Sequence, residues 1–148
     1  NPIERNVMTS LTHTSPSPIT SIDKNGGCTE MGVLFFSSND YAMGDAKFSY
    51  ELNIEESEIA SVSSLYTENA ASQVMYLFDC DEELAEELLD GSSSEWNLDN
   101  CDAEKSWKLQ GIQAHCAKEM GFIAVESEDE NGTVYAVAMD NSILAKMA

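Results

Sequence analysis

Positive charge is what this chain has least of: 7 Lys and Arg stand against 27 Asp and Glu, a formal net charge of −20 over 148 residues. Such a surface repels phosphate rather than neutralising it, which argues against direct nucleic-acid binding. Two partner classes survive, a basic protein surface or a small ligand with its own local site, and acidity alone also keeps an ordinary domain soluble. Cysteine is sparse: Cys28, Cys80, Cys101 and Cys116 form no C-x-x-C pair. Neither a disulfide framework nor a zinc site is expected, and a reducing cytoplasm fits. No apolar run approaches the roughly 18 residues needed to span a bilayer, and the first residues lack the apolar core of a signal peptide, so an unexported protein is expected. P-loop, HExxH, GxSxG and EF-hand patterns are absent; Asp79-Cys80-Asp81-Glu82 is acidic but has neither the loop glycine nor the spaced ligands of a calcium site. No metal is expected.

What is present reads as one core. At 43% hydrophobic residues the chain can build one domain and not two, expected over residues 8–148, with residues 1–7 a polar extension outside it. Thr9 to Thr14 reads as a short strand closed by Pro16 and Pro18, and a loop follows to Gly26-Gly27. Gly32 to Ser37 is a buried strand, with a loop through Gly44. Phe48, Tyr50, Leu52 and Ile54 alternate with polar residues at period two, the clearest strand of the chain. From Glu68 the period becomes helical, with Ala71, Val74, Met75 and Phe78 on one face. Asp79, with Glu82 three residues on, reads as the N-cap of a second helix that stops at Gly91. A longer helix spans Asp102 to Gly121, with Trp107, Ala114 and Ala117 on one stripe, Lys118 near its negative end and Gly111 as a weak point. Phe122 to Val125 and Thr133 to Met139 are two strands joined through Asn131-Gly132. Strands, then helices, then a closing hairpin make an α+β pattern and not a βαβ repeat.

The stretch from Gly32 to Ala42 draws attention because its apolar half anchors a strand whose end carries hydroxyls, an amide and an aromatic. Phe35, Phe36 and Tyr41 are core by default, and one of them is able to stack on a flat heterocycle. Tyr66, just before the helical region, is a second stacking candidate. His13, followed by Thr14 and Ser15 at a strand end, can offer an imidazole to a sugar hydroxyl and backbone groups to an amide. In the acidic run from Glu126 to Glu130, a carboxylate at a pocket rim can bind a ribose hydroxyl and stabilise developing positive charge; Glu126-x-Glu128 points two carboxylates the same way at strand spacing.

Taken together, His13-Thr14-Ser15, Leu34-Phe35-Phe36-Ser37 with Tyr41-Ala42, and a late acid on a hairpin resemble the ADP-ribosyltransferase fold, here as small mixed β-sheets with a helical segment mid-chain. The chain is most similar to the phage anti-CRISPR ADP-ribosyltransferases that disable the type I-F surveillance complex. His13-Thr14-Ser15-Pro16, Leu34-Phe35-Phe36, Cys80-Asp81-Glu82, Ala85-Glu86-Glu87-Leu88, Asn97-Leu98-Asp99, Ser106-Trp107, and Asp129-Glu130 with Gly132-Thr133 carry the likeness from about residue 12 to 140. The resemblance implies nicotinamide adenine dinucleotide (NAD) as substrate. It implies that His13 bonds the adenosine-side ribose, the backbone at Thr14 holds the carboxamide, Phe36 or Tyr41 stacks on the nicotinamide, and Ser15 and Ser37 lie beside them. Asp129 takes the place of the acid that steadies the nicotinamide ribose as its glycosidic bond breaks. The implied target is an asparagine on the large subunit that reads the protospacer-adjacent motif (PAM), in the cytoplasm of a host bacterium.

Two departures stand out. An aspartate is one methylene shorter than the glutamate of much of the wider fold, and Glu126-x-Glu128 with Ser37-Ser38 faintly echoes arginine-modifying relatives, although His13 in place of arginine speaks against that branch. The rival expectation is a non-enzymatic acidic mimic of DNA that fills a basic groove by charge and needs no cofactor. It leaves the His13 motif and the Phe35-Phe36-Ser37 strand without a purpose.

Overall fold

In the computed structural model, which describes residues 8–15, 18–22, 28, 31–37, 48–129 and 132–147, the chain forms six strands and four α-helices. The strands are β1 (Met8–Ser15), β2 (Val33–Ser37), β3 (Phe48–Glu55), β4 (Ile59–Ser61), β5 (Ala124–Asp129) and β6 (Gly132–Ala138). The helices are α1 (Glu68–Phe78), α2 (Glu82–Leu89), α3 (Ala103–Glu119) and α4 (Asn141–Lys146). One sheet runs β3-β1-β2-β6-β5-β4. All neighbours are antiparallel except β4 and β5. A parallel pair cannot be closed by a tight turn. The connection from β4 to β5 therefore carries α1, α2 and α3 across one face of the sheet.

Strand alternation sorts the core into two halves. Val33, Ala60, Val125, Ala136 and Ala138 face the three helices, packing with Val74, Phe78, Leu88, Leu89, Ile112 and Ala114. Leu34, Phe36, Ala124, Tyr135 and Val137 face the other way, where Leu11, Leu52 and Ile54 join them under Ile19, Cys28 and Ile143. Helix α3 is buried around much of its circumference because it lies between the sheet and the other two helices. Gln113, buried within it, donates its side-chain amide to the Leu89 carbonyl at 3.1 Å and the Leu88 carbonyl at 3.5 Å, satisfying the end of α2. Gly111 has a reason beyond propensity: a Cβ there would come within 2.5 Å of the Met31 sulfur.

Several expectations shift. Asp79 is not an N-cap: it closes α1 in the left-handed region at φ 50°, and Asp81 caps α2 by accepting from the Leu84 amide at 2.9 Å. The last hairpin begins two residues later than expected and its first strand runs to Asp129. The acidic run is thus strand up to Asp129, held by the β6 ladder rather than lying at a solvated tip. Trp107 is 55% exposed, its ring packed at a steep angle on Phe35 with centroids 5.0 Å apart, and so lies outside the buried stripe. β4 and α4 were not anticipated, being too short for a periodic signal. The loops expected to reach Gly26-Gly27 and Gly44, and the turn residue Asn131, lie wholly or partly outside the described residues. Among the described residues no helix is long and apolar enough to cross a membrane.

Gln113→Leu removes the donor and leaves two carbonyls of α2 unpaired; a loss of about 1–3 kcal/mol is expected, measured by urea unfolding. Asp140 caps α4 through the Ile143 amide at 2.8 Å and pairs with Lys118 at 3.2 Å. The Ile143 amide, then Lys118, hold its carboxyl below the usual aspartate value despite partial desolvation. A depressed folded value means that the stabilisation is whole above the unfolded value and is lost as pH falls through the folded one. The protection of α4 amides, relative to their intrinsic exchange at each pH, is expected to fall below about pH 4, and Asp140→Asn, which keeps the cap, is expected to abolish that acid dependence.

Candidate active site

The sheet has a seam. β1 pairs with β3 along its full length, from Met8 opposite Glu55 to Ser15 opposite Phe48, whereas among the described residues it shares with β2 only the pair Thr12–Ser37. One residue past that pair the backbone ladder stops and a side chain takes over. His13 Nδ1 lies 2.7 Å from the Phe35 carbonyl oxygen. A carbonyl only accepts, so Nδ1 carries the proton, and in the neutral ring Nε2 keeps its lone pair as an acceptor. The imidazole rests on Phe36, with ring centroids 5.6 Å apart and planes tilted by 55°.

From this point a rung crosses the sheet. Tyr50 stands opposite His13, Phe36 opposite Tyr135, Tyr135 opposite Glu126 and Glu126 opposite Ser61. Residues paired across strands share a face. The rung therefore places an imidazole and an exposed carboxylate on one side of the sheet, with aromatic rings between and beside them. Strands lie about 4.8 Å apart, so β1 and β5, three spacings away, stand about 14 Å apart on a flat sheet. That is too far for contact and suits a ligand lying across both. The rings between them are buried, Phe36 at 2% and Tyr135 at 8% exposure, so the groups accessible on this face are the half-buried imidazole at one end and the exposed Glu126 and Glu128 carboxylates at the other.

The expected site residues are placed as follows. His13 and Phe36 meet directly, but Phe36 is 2% exposed, so its ring supports His13 from below and is not open for a ligand to stack on. Thr14 pairs with Ser49, next along β1; Ser15 is buried and pairs with Phe48. Ser37 is half-buried at the seam and alternates with Phe36, so it takes the helix side of β2. Glu126 and Glu128 are exposed and alternate onto the His13 face, Glu128 opposite Thr133. Asp129 ends β5 with its backbone paired to Gly132. Tyr41 lies outside the described residues. Tyr66 is not on the rung: it precedes α1, 45% exposed, and partial desolvation with the carboxylates of Glu86, Glu82 and Glu68 pushes its phenol up. Sequence reasoning missed Tyr50 and Tyr135. The period-two pattern around Tyr50 already showed it facing inward with Leu52 and Ile54; what it withheld was the neighbouring strand.

Architecture and rung together define an ADP-ribosyltransferase-like fold. The family described as Anti-CRISPR Type I-F ADP-ribosyltransferase AcrIF11 matches residues 23–146, and the chain belongs to that family. The match takes in Asp129 and begins after β1, leaving His13 outside it. A solved structure described as "Crystal structure of an anti-CRISPR protein" aligns with a TM-score of 0.59 at 22% identity, covering 88% of this chain and 89% of that one, a likeness of fold. No curated protein matches the chain.

The tautomer is directly observable. Long-range ¹⁵N–¹H correlation spectra of the His13 ring are expected to show the proton on Nδ1 at neutral pH; a proton on Nε2 alone would mean that the bond to Phe35 is not made.

Proposed function

We propose that the chain transfers ADP-ribose from NAD to an asparagine side chain of the large PAM-reading subunit of the type I-F surveillance complex, and so blocks recognition of target DNA. The observation that carries this reading is the His13 imidazole, held through Nδ1 by the Phe35 carbonyl beside the Thr12–Ser37 pair of β1 and β2, in a sheet whose fifth strand ends in carboxylates. Membership of a transferase family supports it.

In this reading His13 Nε2 accepts a hydrogen bond from the adenosine-side ribose, and the backbone at Thr14 and the Ser15 segment hold the carboxamide. Tyr41 stacks on the nicotinamide ring, since Phe36 is occupied beneath His13. Ser37 contributes from the seam, and Tyr66 has no part in the dinucleotide site. Asp129 steadies the nicotinamide ribose and the positive charge that builds there as the carbon–nitrogen bond breaks. The bonding pair leaves with nicotinamide, the asparagine nitrogen attacks the same carbon, and its proton passes to solvent. The surplus of 20 negative charges draws the enzyme to a basic, DNA-reading subunit.

Incubating the purified complex with the protein is expected to add one ADP-ribose mass to the large subunit only when NAD is present. Asp129→Ala is expected to cut the rate by about 10²–10³-fold without changing thermal unfolding, and Glu126→Ala run beside it tests which carboxylate of β5 bears the charge. Inhibition that needs no NAD and fades steeply with salt would replace this reading with the DNA mimic.

A further inference from the structure

The two edges of the sheet are finished differently. β4 closes one edge with three residues, Ile59–Ser61, too short to template a further strand. β3 forms the other edge over eight residues, Phe48–Glu55. Its inner side pairs with β1 residue for residue from end to end, without a bulge. Among the described residues no strand pairs with its outer side. Proteins guard such an edge with lysine, proline or a bulge. Between Phe48 and Glu55 there is no lysine, arginine or proline, and the only charges are the carboxylates of Glu51 and Glu55.

The two faces of β3 specify the chemistry of a strand laid beside it. Ser49, Glu51 and Asn53 are exposed on the face away from the Leu11 cluster, where the Ser10 hydroxyl donates to the Glu51 carboxylate. On the opposite face Phe48 is 36% exposed, at the end of a row that runs through Tyr50 into the buried Leu52 and Ile54. Residues paired across strands share a face. One set of alternate side chains on an added strand therefore meets a carboxylate, which suits basic residues, and the other meets the Phe48 ring, which suits apolar ones. A second copy is the wrong occupant, because it brings the same two carboxylates and another 20 negative charges to the contact. Nucleic acid is repelled by the same charge. We propose that the outer edge of β3 is a docking edge that takes, by strand addition, an extended segment of a partner protein in which basic and apolar residues alternate. Main-chain hydrogen bonds supply the affinity; Glu51 and Phe48 supply the selectivity. β3 lies next to the strand that carries His13, so the captured segment runs about 10 Å from β1, two strand spacings away. Docking here needs neither NAD nor the transfer reaction.

The test uses the whole protein and a peptide of four Lys-Val repeats, beside a second peptide of the same charge in which proline replaces two of the valines. Binding is measured by calorimetry at fixed salt, and its place on the protein by amide hydrogen exchange. The Lys-Val peptide is expected to bind about ten-fold more tightly than the proline peptide, which cannot complete a ladder, and to slow exchange in β3 more than in the helices. Ser49→Lys combined with Asn53→Lys, both at exposed positions, is expected to weaken binding of the Lys-Val peptide about ten-fold by guarding the edge. Equal affinity for the two peptides means attraction by charge alone and overturns the proposal. No binding of either peptide overturns it, as does protection that falls elsewhere than on β3, or unchanged affinity in the folded lysine variant. A dimer in sedimentation, with β3 amides protected as protein concentration rises and no peptide present, makes a second copy the occupant and overturns it too. The two peptides are compared on wild type, so their difference decides the matter should the lysine variant fold poorly.

Discussion

Where the backbone ladder between β1 and β2 gives out after Thr12–Ser37, the hydrogen bond from His13 to the Phe35 carbonyl carries the connection onward, and the rest of the functional face depends on it. The two leaves on either side, β3 with β1 and β2 with β6, β5 and β4, share a core through Leu11 and Leu52 from one and Leu34, Phe36 and Val137 from the other. Residues from both leaves thus bury one common cluster on the face that carries His13. A fully laddered pair would close the seam; a pair with no connection would let the leaves part. An imidazole is suited to the middle course, since it satisfies an otherwise idle carbonyl and leaves its second nitrogen available.

The helical layer serves this face from behind. Small residues on β6, Ala136 and Ala138, meet Ala114 and Ala117 of α3, and Gly111 leaves space for Met31. The His115 ring adds a bond from Nε2 to the Met31 carbonyl at 2.7 Å, just ahead of β2. The two histidines of the chain thus both hold backbone carbonyls next to or within β2, one from each side of the sheet. The strand that floors the rung is thus held by side chains in addition to its ladder with β6.

Much of this was legible in the chain. The period-two run at Phe48 to Ile54, the helix from Glu68 and the helix capped by Asp102 all follow from patterns that burial enforces locally. His13 and Phe36 stood out by composition, and their meeting is in the structure. What eluded reading depends on register, which is set between strands distant in sequence: the rung through Tyr50, Tyr135 and Glu126, and the exclusion of Phe36 from any ligand by its own burial. The misplaced cap at Asp79 has a local cause, because Asp79 and Asp81 are both good capping residues and only the left-handed turn at Asp79 decides between them.

β6 sits fourth in the sheet order although it is the last strand along the chain. Until it is synthesised, β2 and β5 each present an open edge, and β4 must wait for β5 across all three long helices before it can pair at all. The nascent chain therefore carries unpaired edges through most of its translation, a state prone to wrong pairing and self-association. Its dense acidic charge then acquires a second use: mutual repulsion between half-made copies holds them apart until the keystone strand arrives.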